Sequence, residues 1–229
     1  MDSYALLSRL IKKVKTSRPE NDTDLITKAF AFAESAHEHQ KRRSGEPYII
    51  HPVESAVILS DLKMDTATIA AALLHDVVED TKFSLEDIKT EFGQEIADLV
   101  DGVTKISSLN EKTKQRDQAE TLRKMLMATI KDARVIIIKL ADRTHNMRTI
   151  SAMPRAKQER IAQEVFDIYA PLAGRLGISQ MRSELEDLAF EVIYPEEYNE
   201  LKTKISERRE EMEAYIEYIQ SELSSAIHK

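Results

Sequence analysis

The sequence contains no cysteine, and this absence excludes disulfide bridges, thiolate metal ligands and a cysteine nucleophile. Glycine (5) and proline (6) are also scarce among the 229 residues, so the chain has few of the residues that build the turns of a β-rich fold. No apolar run approaches the roughly 18 residues that span a bilayer, and the first residues lack the apolar core of a signal peptide. We therefore expect a cytoplasmic protein without a membrane anchor.

Excess positive charge is absent as well, because the formal net charge is −7. A general nucleic-acid binder depends on lysine and arginine to neutralise phosphates, so we expect no direct nucleic-acid binding. Hydrophobic residues make up 42% of the chain, which is enough for a packed core.

Apolar residues recur with helical spacing along almost the whole chain, and this periodicity predicts an all-α fold. Asp22 or Thr23, and Asp65 or Thr66, are suited to cap helices, and Ser84 with Asp87 resembles a capping box. The segment RVIII is β-branched, but it continues without glycine or proline, so we predict one helix capped by Asp132. Helices are expected at about 4–16, 23–39, 53–62, 66–79, 119–130, 133–153, 155–172 and 179–192.

Two polar segments differ from the rest. Residues 107–117, SSLNEKTKQRD, lack apolar periodicity, which predicts a surface loop. We further hypothesise that a loop at 105–117 is mobile and lies near the functional site. Residues 195–229 predict one highly charged helix that carries a single apolar stripe, with Pro195 in its first turn. We therefore divide the chain into a domain at 1–194 and a charged amphipathic helix at 195–229.

The stretch AALLHDVVEDT ends an apolar helical run in four ionisable groups, which are His75, Asp76, Glu79 and Asp80. Residues four apart share a helix face, so this spacing puts His75 below Glu79 and Asp76 below Asp80. Exposed carboxylates at a helix C-terminus oppose its dipole by about 0.3–1 kcal/mol each. A bound cation would reverse that sign.

Two further candidates follow apolar residues elsewhere in the sequence: His51 in YIIHP and Asp142 in KLADRTHN. Two imidazoles and two carboxylates suit Mn, Fe, Zn or Mg. Plainer alternatives remain open on spacing alone: His51 as a packed core histidine, Asp142 paired with Lys139 or Arg143 on the surface, and VVED as a solvated acidic helix end.

The same residues resemble a known family. The order H…HD…D is similar to the ligand pattern of the HD superfamily of metal-dependent phosphohydrolases. The match is closer to the N-terminal hydrolase domain of the long RelA/SpoT homologues, and it extends over roughly residues 5–200. The motifs that carry it are RRSGEPYIIHPV, AALLHDVVEDT, FGQEIADLVDGVTK, RKMLMA, VIIIKLADRTHNMRT and YAPLAGRLGI.

That resemblance implies an HD-domain helical bundle of about ten helices that binds one divalent ion, Mn²⁺ in the family. It implies His51, His75, Asp76 and Asp142 as ligands and Glu79 and Asp80 as catalytic carboxylates. The implied reaction removes pyrophosphate from the ribose 3′ position of the alarmones ppGpp and pppGpp, leaving GDP or GTP. Family members with an inactive hydrolase domain have lost HDVVED, which is intact here.

Substrate contacts are implied in the same way. Arg42, Arg43 and Ser44 lie in KRRSG, where arginine suits phosphate binding or base stacking, although the family usually has lysine at the position of Arg43. Further positions that match nucleoside or pyrophosphate contacts are Asn146, Thr149, Arg123 and Lys124.

The long homologues continue into a synthetase domain whose signature is not found after residue 180, so the helix at 195–229 is expected to lead toward, and contact, a synthetase domain that this sequence lacks. Two other functions remain open. The domain either hydrolyses another phosphorylated nucleotide, or it is a regulatory module that binds nucleotide without turnover.

Overall fold

A computed structural model gives the structure of residues 3–112 and 131–206, together with the isolated positions 208, 215, 216 and 219. In those ranges the chain is helical and has no β-strand, which confirms the all-α prediction. The α-helices are α1 Ser3–Ser17, α2 Thr23–Ala36, α3 Ile50–Asp61, α4 Thr66–Leu74, α5 Val77–Asp80, α6 Leu85–Phe92, α7 Gln94–Lys112, α8 Ala133–Arg148, α9 Arg155–Glu164, α10 Ala170–Arg175, α11 Ser179–Ile193 and α12 at 195–206.

Helix α8 lies at the centre of the bundle and packs against α3, α4, α7 and α11. Its β-branched start, RVIII, is helical as predicted, and the Asp132 side chain caps it by accepting a hydrogen bond from the amide of Arg134. Buried apolar side chains cover several of its faces, because helices surround it. Tertiary packing therefore decides the structure of this segment over its local β propensity.

Two caps follow the sequence prediction closely. The Asp22 carboxylate accepts hydrogen bonds from the first amides of α2, and Ser84 and Asp87 form the reciprocal capping box of α6. Each such cap contributes about 1 kcal/mol by satisfying amides that have no partner within the helix. Local side chains thus fix where these two helices begin.

Several predictions about helix boundaries are wrong, since α2 ends at Ala36 and α8 at Arg148, before the expected ends at 39 and 153. Residues 107–112 continue α7 and do not belong to a loop, and Val103 and Ile106, just before them on the same helix, are buried in the core. The run at 66–79 is also broken at His75 and Asp76. Residues 113–130, which include the rest of the expected loop and the helix at 119–130, lie outside the described residues.

A π-helical turn at Val165–Tyr169 joins α9 to α10 where one continuous helix was expected at 155–172. Pro171 lies two positions after this turn and has no amide to donate, so a regular α-helix would lose a hydrogen bond near this point. Among the described helices, none is long and apolar enough to cross a bilayer.

Candidate functional site

Three buried side chains from separate helices meet at one point of the bundle. His51 comes from the first turn of α3, His75 from the end of α4 and Asp142 from the middle of α8. One potential ligand atom from each lies within 4.8 Å of the other two, and His51 Nε2 lies 3.2 Å from Asp142 Oδ1. Residues far apart in sequence therefore supply two imidazole nitrogens and one carboxylate to a single volume.

Asp76 joins this group through the break between α4 and α5. The His75 imidazole contacts the Ala72 carbonyl through Nδ1 at 2.8 Å, and this is the acceptor that the Asp76 amide would use in an uninterrupted helix. The Asp76 carboxylate lies 3.0 Å from His75 Nε2 and 3.6 Å from His51 Nε2. Both adjacent side chains thus face the same point, in place of the regular i, i+4 arrangement that the sequence predicts.

One buried lysine contributes positive charge beside the two carboxylates of the cluster. Lys139 is buried, and its Nζ lies 2.7 Å from Asp142 Oδ2 and 2.8 Å from the Ser107 hydroxyl. Burial alone would raise the pKa of Asp142, but Lys139 outweighs burial and holds that pKa well below its usual value. Asp142 therefore pairs with Lys139 in the interior, whereas the alternative from the sequence put that pair on the surface.

The donor set fits a divalent cation. Since His75 Nδ1 donates to a backbone carbonyl, Nε2 is the atom that faces the cluster, where its nearest charged group is the Asp76 carboxylate at 3.0 Å. Burial favours its neutral form, but the Asp76 carboxylate outweighs burial and raises the pKa of His75 to about 9. The carboxylates that favour a positive charge here also favour a metal ion, and mixed nitrogen and oxygen ligands suit Mn, Fe, Zn or Mg.

Glu79 and Asp80 lie on α5, at the edge of the cluster. Burial raises the pKa of Glu79, and the negative charge of Asp76 adds to this while Lys139 opposes it. Tyr48 lies between the two carboxylates of Asp76 and Asp80, with its hydroxyl 2.9 Å from Asp76 Oδ2 and 2.7 Å from Asp80 Oδ2. The Tyr48 hydroxyl thus connects Asp76, a candidate metal ligand, to the exposed Asp80 carboxylate.

A short hairpin precedes α3 and carries the basic motif KRRSG. Lys41 and Pro47 form an isolated bridge, and Gly45 has the positive φ of 85° that this tight turn requires. Arg42 points back toward α8, where its Nη2 donates to Asn146 Oδ1 at 2.6 Å. The other two predicted residues of the motif are exposed, and the hydroxyl of Ser44 donates to Glu46 at 3.2 Å.

Helix α8 presents the remaining described candidates. The amide of Asn146 donates to Asp142 Oδ1 at 2.6 Å, so Asn146 connects Arg42 to the cluster. The Thr149 hydroxyl bonds to the His145 carbonyl one turn earlier and is half-buried at the end of the helix. Arg123 and Lys124 lie outside the described residues.

Sequence reasoning missed two residues that contact this site, Tyr48 and His145, and expected Lys139 only on the surface. Lys139 and His145 lie three positions before and after Asp142 on α8, so helical spacing around this candidate ligand is the available signal for them. Tyr48 lies before α3 and has no such signal. His145 Nδ1 lies 2.7 Å from His51 Nδ1 and 3.2 Å from Arg42 Nη1. Burial, with the positive charge of neighbouring groups, lowers the pKa of His145 to about 3.

Comparison with known proteins shows similarity to proteins that are much longer than this chain. The chain is 50% identical over 207 residues to a GTP pyrophosphokinase of Myxococcus xanthus, a match covering 89% of this chain and 27% of that protein. It is 45% identical over 224 residues to the bifunctional (p)ppGpp synthase/hydrolase SpoT of Escherichia coli K12, covering 98% of this chain and 32% of that protein. The chain thus spans about a third or less of the length of these relatives.

A solved structure is similar over most of its own length. It is described as a metazoan ortholog of SpoT that hydrolyzes ppGpp and plays a role in starvation responses, and it is 28% identical to this chain with a TM-score of 0.51. The alignment covers 72% of this chain and 93% of that one. The model of the HD domain family matches residues 29–179, a range that includes His51, His75, Asp76 and Asp142. This match extends over more than half of the sequence, and the chain therefore belongs to the HD domain family.

Proposed function

We propose that this chain removes the 3′-pyrophosphate of the alarmones ppGpp and pppGpp, releasing GDP or GTP. One observation carries the proposal: buried ligand atoms of His51, His75 and Asp142 converge on one point beside the arginine of an exposed basic hairpin. A cation site next to an anion-binding side chain suits a phosphate ester. The similarity to proteins described as (p)ppGpp hydrolases supports the guanosine alarmones as the substrates.

His51, His75, Asp76 and Asp142 are the proposed ligands of one divalent ion, and Mn²⁺ is the proposed metal. When bound, such an ion polarises a phosphoryl oxygen and acidifies water, which is the chemistry that phosphate hydrolysis at neutral pH requires. The protein contributes rigidity, because His51, His75 and Asp142 are buried on three packed helices. Lys139 holds the Asp142 carboxylate in place through its 2.7 Å contact.

Glu79 and Asp80 are the proposed catalytic carboxylates, which accept and orient the proton of the attacking water. Burial raises the pKa of Glu79, and a raised pKa makes a carboxylate a better general base near neutral pH. The Tyr48 hydroxyl holds Asp80 by its 2.7 Å contact, so that this carboxylate keeps its orientation toward the cluster.

Arg42, Arg43 and Ser44 are proposed to bind the substrate phosphates or the base, and Asn146 and Thr149 the nucleoside. Arg42 lies next to the cluster and has a planar guanidinium that pairs well with phosphate, while Arg43 and Ser44 lie exposed on the same hairpin. Arg123 and Lys124 are proposed to approach the pyrophosphate.

We also propose that the catalytic domain comprises residues 1–194, in the cytoplasm, without direct nucleic-acid binding. Residues 195–229 then form a connecting helix toward a synthetase domain of the kind found in bifunctional relatives. Leu201 and Ile205 support this proposal, because 47% and 65% of their surfaces are exposed on α12. Apolar side chains at this exposure are suited to contact another domain.

The test is a hydrolysis assay of the whole chain with Mn²⁺ and a panel of nucleotides that includes ppGpp, pppGpp, GTP and other 2′- or 3′-phosphorylated nucleotides. We expect pyrophosphate release from ppGpp and pppGpp, its loss with a chelator, and a decrease of about 100-fold or more in kcat for Glu79→Gln and Asp80→Asn. Asp98→Asn, on the exposed face of α7, is the matched control and should keep full activity.

The same panel separates the other two functions. A clear preference for a nucleotide without guanine would assign the site to another phosphorylated nucleotide. Measurable ppGpp binding with no turnover under any metal would assign it to a regulatory module.

A further inference from the structure

A chain of three side chains connects the basic hairpin to the candidate ligand His51. Arg42 Nη1 lies 3.2 Å from His145 Nδ1, and the same nitrogen of His145 lies 2.7 Å from His51 Nδ1. His145 projects from α8 and is only 6% exposed, so the helix and the packing around it fix the ring. Two side chains from outside α8 therefore approach one nitrogen atom.

The chemistry of these groups decides where the proton lies. Arginine has only donors, so the Nδ1 atom of His145 must accept from Arg42 through its single lone pair. Two ring nitrogens 2.7 Å apart need one proton between them, and this proton then belongs to His51 Nδ1. A neutral His51 with its proton on Nδ1 has its lone pair on Nε2, the atom that lies 3.2 Å from Asp142 and 3.6 Å from Asp76. These carboxylates only accept hydrogen bonds, so they favour this lone pair once a cation lies between them.

Asn146 provides a parallel connection on the same helix. Its side-chain oxygen accepts from Arg42 Nη2 at 2.6 Å, and its nitrogen donates to Asp142 Oδ1 at 2.6 Å. The consecutive residues His145 and Asn146 thus join one arginine to two candidate ligands. An arginine that turns away to bind an anion would release the His145 lone pair entirely to His51.

We propose that His145 is a positioning residue, which holds His51 in the tautomer that presents Nε2 to a divalent cation. The inference rests on the proposed function only in taking the cluster as a metal site, and it does not depend on which nucleotide is hydrolysed. Partners that orient a ligating histidine are typically worth about 10–100-fold in metal affinity. His145 and Arg42 therefore have separable roles, since the first acts on the metal and the second acts on the substrate.

The test is calorimetric titration of the whole chain with Mn²⁺ and no nucleotide. His145→Leu removes the acceptor and should weaken Mn²⁺ binding by about 10–100-fold, whereas His145→Asn keeps an acceptor oxygen near Nδ1 and should stay within about threefold. His39→Leu is the matched control, because His39 is exposed on the connection before the hairpin and should leave the affinity unchanged. Unchanged affinity in folded His145→Leu, or equal losses in the Leu and Asn variants, would overturn the proposal.

The tautomer itself is measurable without any variant, which covers the case in which His145→Leu fails to fold. Long-range ¹H–¹⁵N spectra of the metal-free chain, which has six histidines, should show a proton on His51 Nδ1. A neutral His51 with its proton on Nε2 would contradict the inference. Neither readout uses a nucleotide, so failure of ppGpp hydrolysis with intact Mn²⁺ binding would refute the proposed function alone.

Discussion

Single residues at the centre of this site hold charge that is costly to bury without a partner. Only 5% of the surface of Lys139 and 3% of that of Asp142 is exposed. The two form an ion pair, with Lys139 Nζ 2.7 Å from Asp142 Oδ2. The lysine contributes one positive charge to a group that otherwise has two carboxylates and two imidazoles. This pair reduces the cost of burying the Asp142 charge when no cation is bound.

Lys139→Met should destabilise the metal-free chain by about 3 kcal/mol, because the Asp142 carboxylate would stay buried without its cation. Mn²⁺ should recover part of this loss by replacing the missing charge. Thermal unfolding with and without Mn²⁺ measures both effects. Lys105→Met is the control, since Lys105 is exposed in a surface pair with Asp101 and should cost less than about 0.5 kcal/mol. Equal losses for the two variants would contradict the account.

Tyr48→Phe should lower kcat by about 10–100-fold with little change in KM, because one hydroxyl contact to two carboxylates is lost. The phenylalanine ring keeps the stacking on His37, whose ring centroid lies 4.4 Å from that of Tyr48. Steady-state kinetics on ppGpp measures the change, with the exposed Tyr4→Phe as the control. A rise in KM alone would instead assign Tyr48 to substrate binding.

Sequence reasoning points to the candidate ligands but not to the residues that support them. Imidazoles and carboxylates beside apolar runs draw attention to His51, His75, Asp76 and Asp142, and the family resemblance implies them as one ligand set. Lys139 and His145 look like ordinary solvated positions in KLADRTHN, and only the packing of α8 between other helices shows that both are buried.

At the scale of helices, close packing between α7 and α8 positions the Asp142 face. Gly102 lies where a Cβ atom would approach Val135 Cγ2 to 2.7 Å, so only glycine fits the present spacing of these two helices. The helix α8 carries Lys139, Asp142, His145 and Asn146 in successive turns. Any shift of α8 therefore moves the whole face at once.

Gly102→Ala should destabilise the chain by about 1–3 kcal/mol through overpacking, although alanine favours the helix. Val135→Ala in the same chain should recover much of that loss, and denaturant unfolding of the single and double variants measures the coupling. Gly174→Ala is the control, because its Cβ would meet only the flexible, exposed side chain of Arg182. If the stability losses of Gly102→Ala and Val135→Ala simply added in the double variant, the proposed contact between these two positions would be contradicted.

Helix periodicity predicted most elements but not their interruptions. The break at His75 depends on an imidazole that contacts the Ala72 carbonyl of the same helix, and the π-helical turn lies just before Ala170 and Pro171. The RVIII segment was assigned correctly because it lacks any glycine or proline breaker. Periodicity averages over a window, so it does not detect an offset of one residue.

At the scale of the whole molecule, the cluster ties together helices from distant parts of the sequence. His51 and Asp142 are 91 positions apart in the sequence, and His51 Nε2 lies 3.2 Å from Asp142 Oδ1. A cation that binds only the folded chain therefore stabilises the entire bundle. The all-α class follows from composition and periodicity, whereas this convergence of α3, α4 and α8 could be expected only from the family resemblance.

Mn²⁺ at about 100 times its dissociation constant should add about 2.7 kcal/mol to the free energy of unfolding, which corresponds to roughly 5–10 °C in Tm for a chain of this size. His75→Ala should abolish the Mn²⁺-dependent shift, whatever its own Tm, because it removes a buried ligand atom. Differential scanning fluorimetry with and without chelator measures the shift. An equal shift in His75→Ala would place the ion elsewhere.

The most direct test of the central claim is hydrolysis of ppGpp by the whole chain with Mn²⁺ in ¹⁸O-labelled water, with products analysed by mass spectrometry. Attack of water on phosphorus at the 3′ position predicts unlabelled GDP and pyrophosphate that carries one ¹⁸O atom. Label in the nucleotide, release of orthophosphate in place of pyrophosphate, or no products at all would contradict the account.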